Sequence, residues 1–388
     1  MPDSDLHFSP ASAEEAASYK LVELPQELVA LLETAVQKSE PFNLSIKGDA
    51  TEDAVLCTSD KTYSIRAVNL SNTLLVVTPP PDTALEFSDD VVVIRDQVNE
   101  ILELTPTVPR IQKLVSLLRG REYDETNEDD DEAADPQETL RYTYKQAREE
   151  IQASNAELDE CLRRKRILII QKPFCLPSFR LDELRPIAPT YLDNVLQLTL
   201  NVLVSLSLPH SAASVDRLTS ELQREHDVPR VVSSQVLGWF GELQGGMWKM
   251  NVDEVLSELG LGILRDHKQN NPIEKEVFMD KWREAVGDTF ADRVELRLIA
   301  GNYLERSSGI TDKDTLSYFP ASDLPTEPAA RFSDLFLTRP RWKVEEISPF
   351  LSEIAVDSKE RDKLLLKYCR AVNEAGVVWY TARAQYNG

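Results

Sequence analysis

Hydrophobic positions follow two regimes, a period near two between residues 42 and 95 and a period near 3.6 over most of the chain after Pro186. Before the first regime, Leu28, Leu31, Leu32 and Ala35 recur at helical spacing behind Pro25, which suits a first helical turn. They predict an amphipathic helix over 25–38. Residues 1–19, polar and acidic, read as a flexible tail. Alternation then begins at Phe42, Leu44 and Ile46. It continues through Ala54–Cys57, Thr62–Val68, Thr73–Thr78 and Val91–Arg95, all rich in Val, Leu, Ile and Thr. Lys47-Gly48-Asp49, Ser59-Asp60, Ser71-Asn72 and Pro79-Pro80-Pro81-Asp82 punctuate these runs. The pattern predicts five short strands in an antiparallel sheet or small barrel with edges left over. In it Tyr63, Ile65 and Ala67 point inward and Thr62, Ser64 and Arg66 outward. Val98, Ile101 and Leu102 predict one short helix, and Ile111, Leu114, Val115 and Leu118 another. Residues 20–120 thus form a β domain with flanking helices.

Residues 121–139 carry a dense run of Asp and Glu with almost no apolar side chain. They predict a disordered acidic linker. A helical connector and one strand, Ile167–Ile170, occupy 140–185. The connector is a polar helix ending in Arg163-Arg164-Lys165-Arg166, which fits a nuclear import signal and, equally, a helix C-terminus whose dipole favours cations. From Pro186 three units follow, each with helices ahead of a strand: 186–270, 271–328 and 329–388. The order of elements is that of a winged helix. Tyr191–Leu206 is a buried helix, and Val294–Asn302 is a helix of the second unit. In the third, Arg331–Thr338 and Val344–Ile354 are helices one and two. Helix three opens at Asp357 with Glu360 in the capping-box position and runs to about Val372. The fold class is α+β.

Composition narrows the function. The 388 residues are 42% hydrophobic and 28% charged, as in an ordinary globular protein, and no apolar run reaches the ~20 residues of a membrane span. Asp and Glu outnumber Lys and Arg 66 to 43, for a formal charge of -23, so any nucleic-acid contact needs a local basic face. Cys57, Cys161, Cys175 and Cys369 are scattered, which indicates neither a zinc site nor a disulfide framework and fits a reducing compartment. The four histidines lack metal-ligand spacing. There is no P-loop, nucleophile elbow or H-E-x-x-H, and Gly260-Leu261-Gly262 reads as a helix-end turn. No cofactor, metal or catalytic residue is expected. Of the tryptophans, Trp239, Trp248, Trp282, Trp342 and Trp379, most are expected in the core.

One cationic stripe does stand out. With about 100° per residue, Lys359, Lys363, Lys367 and Arg370 share one face of the last helix, opposite Leu364, Leu365, Tyr368 and Val372. In a winged helix this is the helix that enters a major groove. Arg383 on the wing, with Arg339, Arg341 and Lys343 nearby, suits phosphate contacts. A solvated basic face with intrahelical pairs is the plainer reading, and Glu360 and Asp362 flank the stripe.

The chain resembles one family along most of its length. The residues that carry the resemblance are Glu23-Leu24-Pro25, Glu27-Leu28, Ile46-Lys47-Gly48, Ala54-Val55-Leu56-Cys57-Thr58, Lys61-Thr62-Tyr63, Arg66 and Ser71-Asn72-Thr73-Leu74-Leu75. Further on they are Tyr318-Phe319-Pro320, Leu324-Pro325, Arg331-Phe332, Leu335-Phe336, Arg339, Arg341-Trp342, Ile347, Pro349-Phe350-Leu351 and Leu364-Leu365-Leu366-Lys367-Tyr368. The family is the sister chromatid cohesion subunit, often called DCC, of the alternative replication factor C clamp loader. The resemblance implies a non-catalytic nuclear subunit whose N-terminal strands complete a β-barrel with the small cohesion subunit and the C-terminal tail of the large clamp-loader subunit. It implies tandem winged helices that reach single- and double-stranded DNA and the catalytic subunit of DNA polymerase epsilon. The sliding clamp is met only indirectly, and no membrane is involved. The partner-binding side chains are then Leu44, Ile46, Leu56, Tyr63, Ile65, Leu74 and Val76, and the DNA-binding ones Lys343, Lys359, Lys363, Lys367, Arg370 and Arg383.

Two other readings compete. A winged-helix transcription factor predicts several kcal/mol of preference for one DNA site, whereas an adaptor binds unrelated duplexes equally and with a steep salt dependence. A cullin-like ubiquitin-pathway scaffold leaves the N-terminal strands without a purpose. An enzyme stands last, with no nucleophile–base or metal spacing to support it.

Overall fold

Backbone pairing, more than local propensity, shapes the N-terminal half. The computed structural model describes residues 5–8, 19–78, 91–124, 142–173, 180–307, 313–374 and 376–383. The acidic linker beyond Asp124, the turn at Pro79-Asp82 and most of the N-terminal tail lie outside them. The chain divides into two compact units, Met1–Ile111 with Arg148–Leu158, and Gln112–Ala147 with Asp159–Gly388.

In the first unit β1 (Asp5–Phe8), β2 (Leu21–Glu23), α1 (Gln26–Lys38), β3 (Ser45–Lys47), β4 (Val55–Cys57), β5 (Thr62–Thr78) and β6 (Val91–Pro106) follow in order. The sheet runs β1-β6-β5-β4-β3, with β2 also on β6. It is mixed rather than antiparallel: β1 and β2 both run parallel to β6. A strand at Asp5–Phe8 also corrects the expectation of a tail without structure. Ser71-Asn72 is not a turn. The register shifts between Asn69 and Leu74, and the strand continues through the irregularity to Thr78. The helix expected at Val98-Ile101-Leu102 is the middle of β6, where these residues pair with Leu74, Val68 and Ala67. Three apolar residues fit either period, and a long partner strand decides between them.

The segment Arg148–Leu158 belongs to this unit although it follows the acidic stretch. Thr62, expected to face outward, is buried because its hydroxyl accepts from the Ser154 amide (2.8 Å) and donates to the Glu157 carboxylate. Ala67, expected inside, is exposed. The Lys47 ammonium is buried on the Ala153 carbonyl at 2.6 Å, and desolvation lowers its pKa.

The chain then forms α2 (Gln112–Leu117), α3 (Tyr144–Glu150), α4 (Asn155–Arg164) and a hairpin of β7 (Ile167–Pro173) and β8 (Arg180–Pro186). One polar helix was expected over 139–166. It breaks at Ile151–Ser154, where four consecutive side chains are buried. The basic cluster at its end is built into the second unit. Arg163 donates to the Trp239 carbonyl (3.0 Å), Arg166 lies over the Phe240 ring (4.1 Å) and against Glu258, and Arg164 and Lys165 pair with Glu160 and Glu353.

One connectivity then repeats three times. The first repeat is α5 (Pro189–Ser205), β9 (Ala213–Ser214), α6 (Val215–His226), α7 (Arg230–Trp239), β10 (Gly241–Gln244) and β11 (Met247–Met250). The second is α8 (Val252–Arg265), β12 (Ile273–Glu274), α9 (Lys275–Val286), two 3-10 turns (Ala291–Arg293, Leu296–Ile299), β13 (Tyr303–Ser307) and β14 (Asp314–Tyr318). The third is α10 (Pro328–Thr338), β15 (Arg341–Lys343), α11 (Val344–Ile347) with a 3-10 turn (Ser348–Leu351), α12 (Ser358–Tyr368), β16 (Cys369–Glu374) and β17 (Val377–Ala382). In every repeat the third strand lies between the other two: β10-β11-β9, β12-β14-β13 and β15-β17-β16.

Three details differ from expectation. The helix α8, expected to close the first repeat, opens the second. A 3-10 turn at Leu296–Ile299 stands in place of the α-helix expected over 294–302. Gly260 and Gly262 sit inside α8, where a Cβ would meet the Trp282 ring at 2.4 Å and the Asp193 carboxylate at 2.3 Å. They are close-packing positions rather than a helix-end turn.

Candidate interaction surfaces

The first surface is the N-terminal sheet. One core cluster on it comprises Leu28, Leu56, Tyr63 and Leu104, with Leu24 and Ile65 packed against them, and Val55, Val93, Ile94 and Val98 are buried as well. The Tyr63 hydroxyl donates to Glu27 (2.7 Å), which also accepts from Lys61 (2.7 Å), so α1 is pinned across β5. Lys61 and then Tyr63 hold the Glu27 carboxyl below its ordinary value, and burial raises the Tyr63 phenol above its own. Leu56 and Tyr63 are therefore internal, which corrects their assignment as partner-binding residues. Ile65 is half-buried beside them.

The remaining candidates face outward. Leu44 and Leu74 are exposed, Val76 is half-buried, and Ile46 is 71% exposed on β3, the last strand of the sheet. Leu75 and Val77 are exposed as well, and sequence reasoning missed them. The signal was present. Leu74-Leu75-Val76-Val77 is a continuous apolar run, and such a run belongs to a strand covered on both faces. On α1 the apolar arc also outruns its cover, with Val29, Leu32 and Val36 exposed.

The second surface is the third repeat. Asp357 caps α12 by accepting from the Glu360 amide (2.7 Å), and the Glu360 carboxylate accepts from the Val356 amide (2.7 Å). Asp362 pairs with Arg361. The acids expected to weaken the cationic stripe are thus turned elsewhere. Lys359, Lys363 and Lys367 are exposed at i, i+4 and i+8. Among the described residues no ion pair engages Lys359 or Lys363. The helix ends at Tyr368, so Arg370 is displayed from β16, a correction to its place on the wheel; Val372 moves with it. The alternation of β16 opposite β17 decided the boundary. Arg383 is exposed just past β17, and Lys343 is half-buried, its ammonium 5.4 Å from the Trp379 ring. Arg341 flanks the same ring at 5.0 Å. The other four tryptophans are buried.

Among the described residues no cluster of His, Cys, Asp or Glu has the geometry of a metal site, and no helix is long and apolar enough to cross a membrane. Burial raises the Cys161 and Cys369 thiols to about 12, so neither offers a reactive thiolate at neutral pH.

The family model for the sister chromatid cohesion protein Dcc1 matches residues 19–351, which takes in every strand of the sheet except β1 and the repeats as far as the 3-10 turn of the third. The chain belongs to the Dcc1 family. Its relatives include sister chromatid cohesion protein DCC1 of Xenopus laevis, 26% identical over 391 aligned positions that cover 98% of this chain and 93% of that protein. The DCC1 proteins of Homo sapiens and Saccharomyces cerevisiae are 24% and 23% identical, covering 97% and 94% of this chain and 92% and 96% of theirs. The Dcc1 family is named for cohesion and not for a catalysed reaction. The matched span contains both the exposed apolar run of β5 and the Glu27–Tyr63 pin.

Proposed function

We propose that this protein is a non-catalytic adaptor subunit of an alternative replication factor C clamp loader. It acts in the nucleus, helps to load or unload the sliding clamp at replication forks, and supports sister chromatid cohesion. Its N-terminal sheet joins a barrel shared with the small cohesion subunit and the C-terminal tail of the large clamp-loader subunit. The β3 edge supplies main-chain hydrogen bonds, and Leu44, Ile46, Leu74, Leu75 and Val77 supply the apolar faces. Its three repeats are winged helices, a reading supported by their helix order and central third strands. They tether the loader to DNA polymerase epsilon and to DNA. Lys359, Lys363, Lys367, Arg370, Arg383 and Lys343 meet phosphates, and tethering makes such weak contacts effective.

The observation that carries the proposal is the β5 run of four apolar residues, patterned for cover on both faces, of which Leu74, Leu75 and Val77 are exposed and Val76 is half-buried in the isolated chain. Co-expression with the two clamp-loader partners tests it. Wild type should co-purify as a stoichiometric complex, and Ile46→Asp with Leu74→Asp should abolish it. Both positions are exposed, so the free variant should keep its stability within about 0.5 kcal/mol. Undiminished assembly by that variant would remove the sheet from the interface.

A further inference from the structure

The junction of the second and third repeats, within the second unit, carries a candidate separate from the adaptor reading. A groove of about 620 Å³ opens there, within the size range of ligand pockets. Phe319 and Leu324 line it from the segment that leaves β14. Asp334 and Leu337 line it from α10, with Asp323 and Lys268 at its rim. The groove is preformed. The amides of Tyr318, Phe319 and Ala321 donate to the carbonyls of His267 (2.6 Å), Asn302 (2.9 Å) and Gly301 (2.8 Å). Beneath them the buried Arg331 guanidinium donates to the carbonyls of Ala321 (3.1 Å), Leu324 (3.1 Å) and Pro325 (2.6 Å).

Two properties define the occupant. Leu337 is 82% exposed on a helix whose Phe332 and Leu335 are fully packed, so an apolar side chain waits at a fixed wall. Among the described residues neither Asp323 nor Asp334 has an ion pair, and they outnumber the single lysine. Two carboxylates on the lining disfavour nucleic acid, whose phosphates they would repel. They favour an ammonium or guanidinium group instead.

We infer that this groove receives a short segment of a partner protein that presents a bulky apolar side chain flanked by lysine or arginine. The test uses the full chain and a fluorescein-labelled hexapeptide whose central Phe-Leu has a lysine on each side. Fluorescence anisotropy should show saturable binding. It should weaken about 30-fold on Leu337→Asp, the loss expected of an apolar anchor. It should weaken about three- to tenfold when Asp323→Asn and Asp334→Asn are combined, with a shallower salt dependence. Leu337→Asp alters an exposed position, and the doubly neutral variant gives a second route should it fail to fold. No saturable binding, or affinity unchanged in both variants, would overturn the inference. So would equal or tighter binding of a peptide with glutamates in place of the lysines, which would assign the groove to an acidic ligand of Lys268. Displacement of the peptide by duplex DNA, or self-association without peptide binding, would also overturn it. Loss of clamp-loader assembly leaves these readouts untouched, so this site and the adaptor sheet fail separately.

Discussion

In the first unit a core of Leu28, Leu56, Tyr63 and Leu104 lies in the same sheet as the exposed Leu44, Ile46, Leu74, Leu75 and Val77. In the second unit each repeat closes on a buried tryptophan whose indole donates to a main-chain carbonyl: Trp248 to Leu237, Trp282 to Leu256 and Trp342 to Leu335. Exposed apolar residues of the repeats such as Val204, Leu337 and Leu366 are scattered singly, whereas those of the sheet gather on one strand as Leu74, Leu75 and Val77. The difference separates two ways of meeting a partner. A closed repeat can only add contacts made by its surface groups. An unfinished sheet gains the burial that its own fold lacks, and hydrophobic burial is the larger source of free energy.

The largest effect should come from Arg331, on the closed side of the comparison. It is fully buried, spends its donors on the carbonyls of Ala321, Leu324, Pro325 and Phe350, and pairs with Glu353 at 3.0 Å. Arg331→Met removes the guanidinium from all of these acceptors, of which Ala321 keeps the Leu324 amide and Glu353 keeps Lys165, and should cost about 3–5 kcal/mol. The third repeat has its own core cluster, from Phe332 to Cys369, which Leu304 of β13 and Leu324 join. Hydrogen exchange should therefore accelerate there and leave β4 and β5 protected as before. Uniform acceleration through both units would break the comparison.

A smaller effect tests the first two repeats, whose buried residues form one continuous core. In an open helix Gly→Ala gains about 1 kcal/mol, whereas overpacking costs about 1–3 kcal/mol. At Gly260 the added methyl meets the Trp282 ring at 2.4–2.9 Å, so Gly260→Ala should lower stability by about 1–2 kcal/mol. Gly238→Ala in α7 is the control. Its nearest neighbour, Leu243, would lie at an ordinary 3.5 Å, and the substitution should be neutral or stabilising. A thermal melt of the pair reads the sign directly.

What was legible followed the length and strength of each pattern. The helices at 26–38 and 215–226 were readable because each sustains a 3.6 period, and the one at 189–205 because its side chains are nearly all apolar over a helical length. The β regime was readable, but its strand count was not. Ser71-Asn72 carries turn residues in the middle of a strand, and only the pairing of Leu74–Thr78 with β6 shows that the chain does not reverse there. Sequence order does not say which core the helix α8 serves, and it serves both: Gly262 packs against Asp193 of α5 and Gly260 against Trp282 of α9. The cationic stripe was legible as spacing, while the strand start at Cys369 moved one of its members. Leu56 and Tyr63 looked like docking residues because an apolar strand residue reads the same whether its own helix or a foreign chain covers it. The capture of Arg148–Leu158 by the first unit had no local signal at all.

The smallest effect sharpens the comparison through pH. Glu27 holds α1 to the sheet through Lys61 and Tyr63, and these contacts lower its pKa from the ordinary 4.5. A carboxyl that is more acidic in the folded state stabilises above its unfolded value and loses that contribution as pH falls through the folded one. Lys61 mirrors it, raised from 10.5 chiefly by the same hydrogen bond, so its share is lost as pH rises beyond that value. The pair therefore contributes most between those limits. The two side chains are 50% and 40% exposed, which keeps the effect small and sensitive to salt. Glu27→Gln should lower the stability of the first unit slightly at neutral pH, and the deficit should vanish as wild type is acidified below about pH 4. The Arg331→Met deficit should not vanish in the same way, because a guanidinium stays protonated throughout and its carbonyl partners do not titrate. Denaturant melts of both variants at pH 7 and below 4 set the two kinds of anchor side by side. A Glu27→Gln deficit that persisted in acid would mean that the helix is held by packing and that the ion pair is incidental.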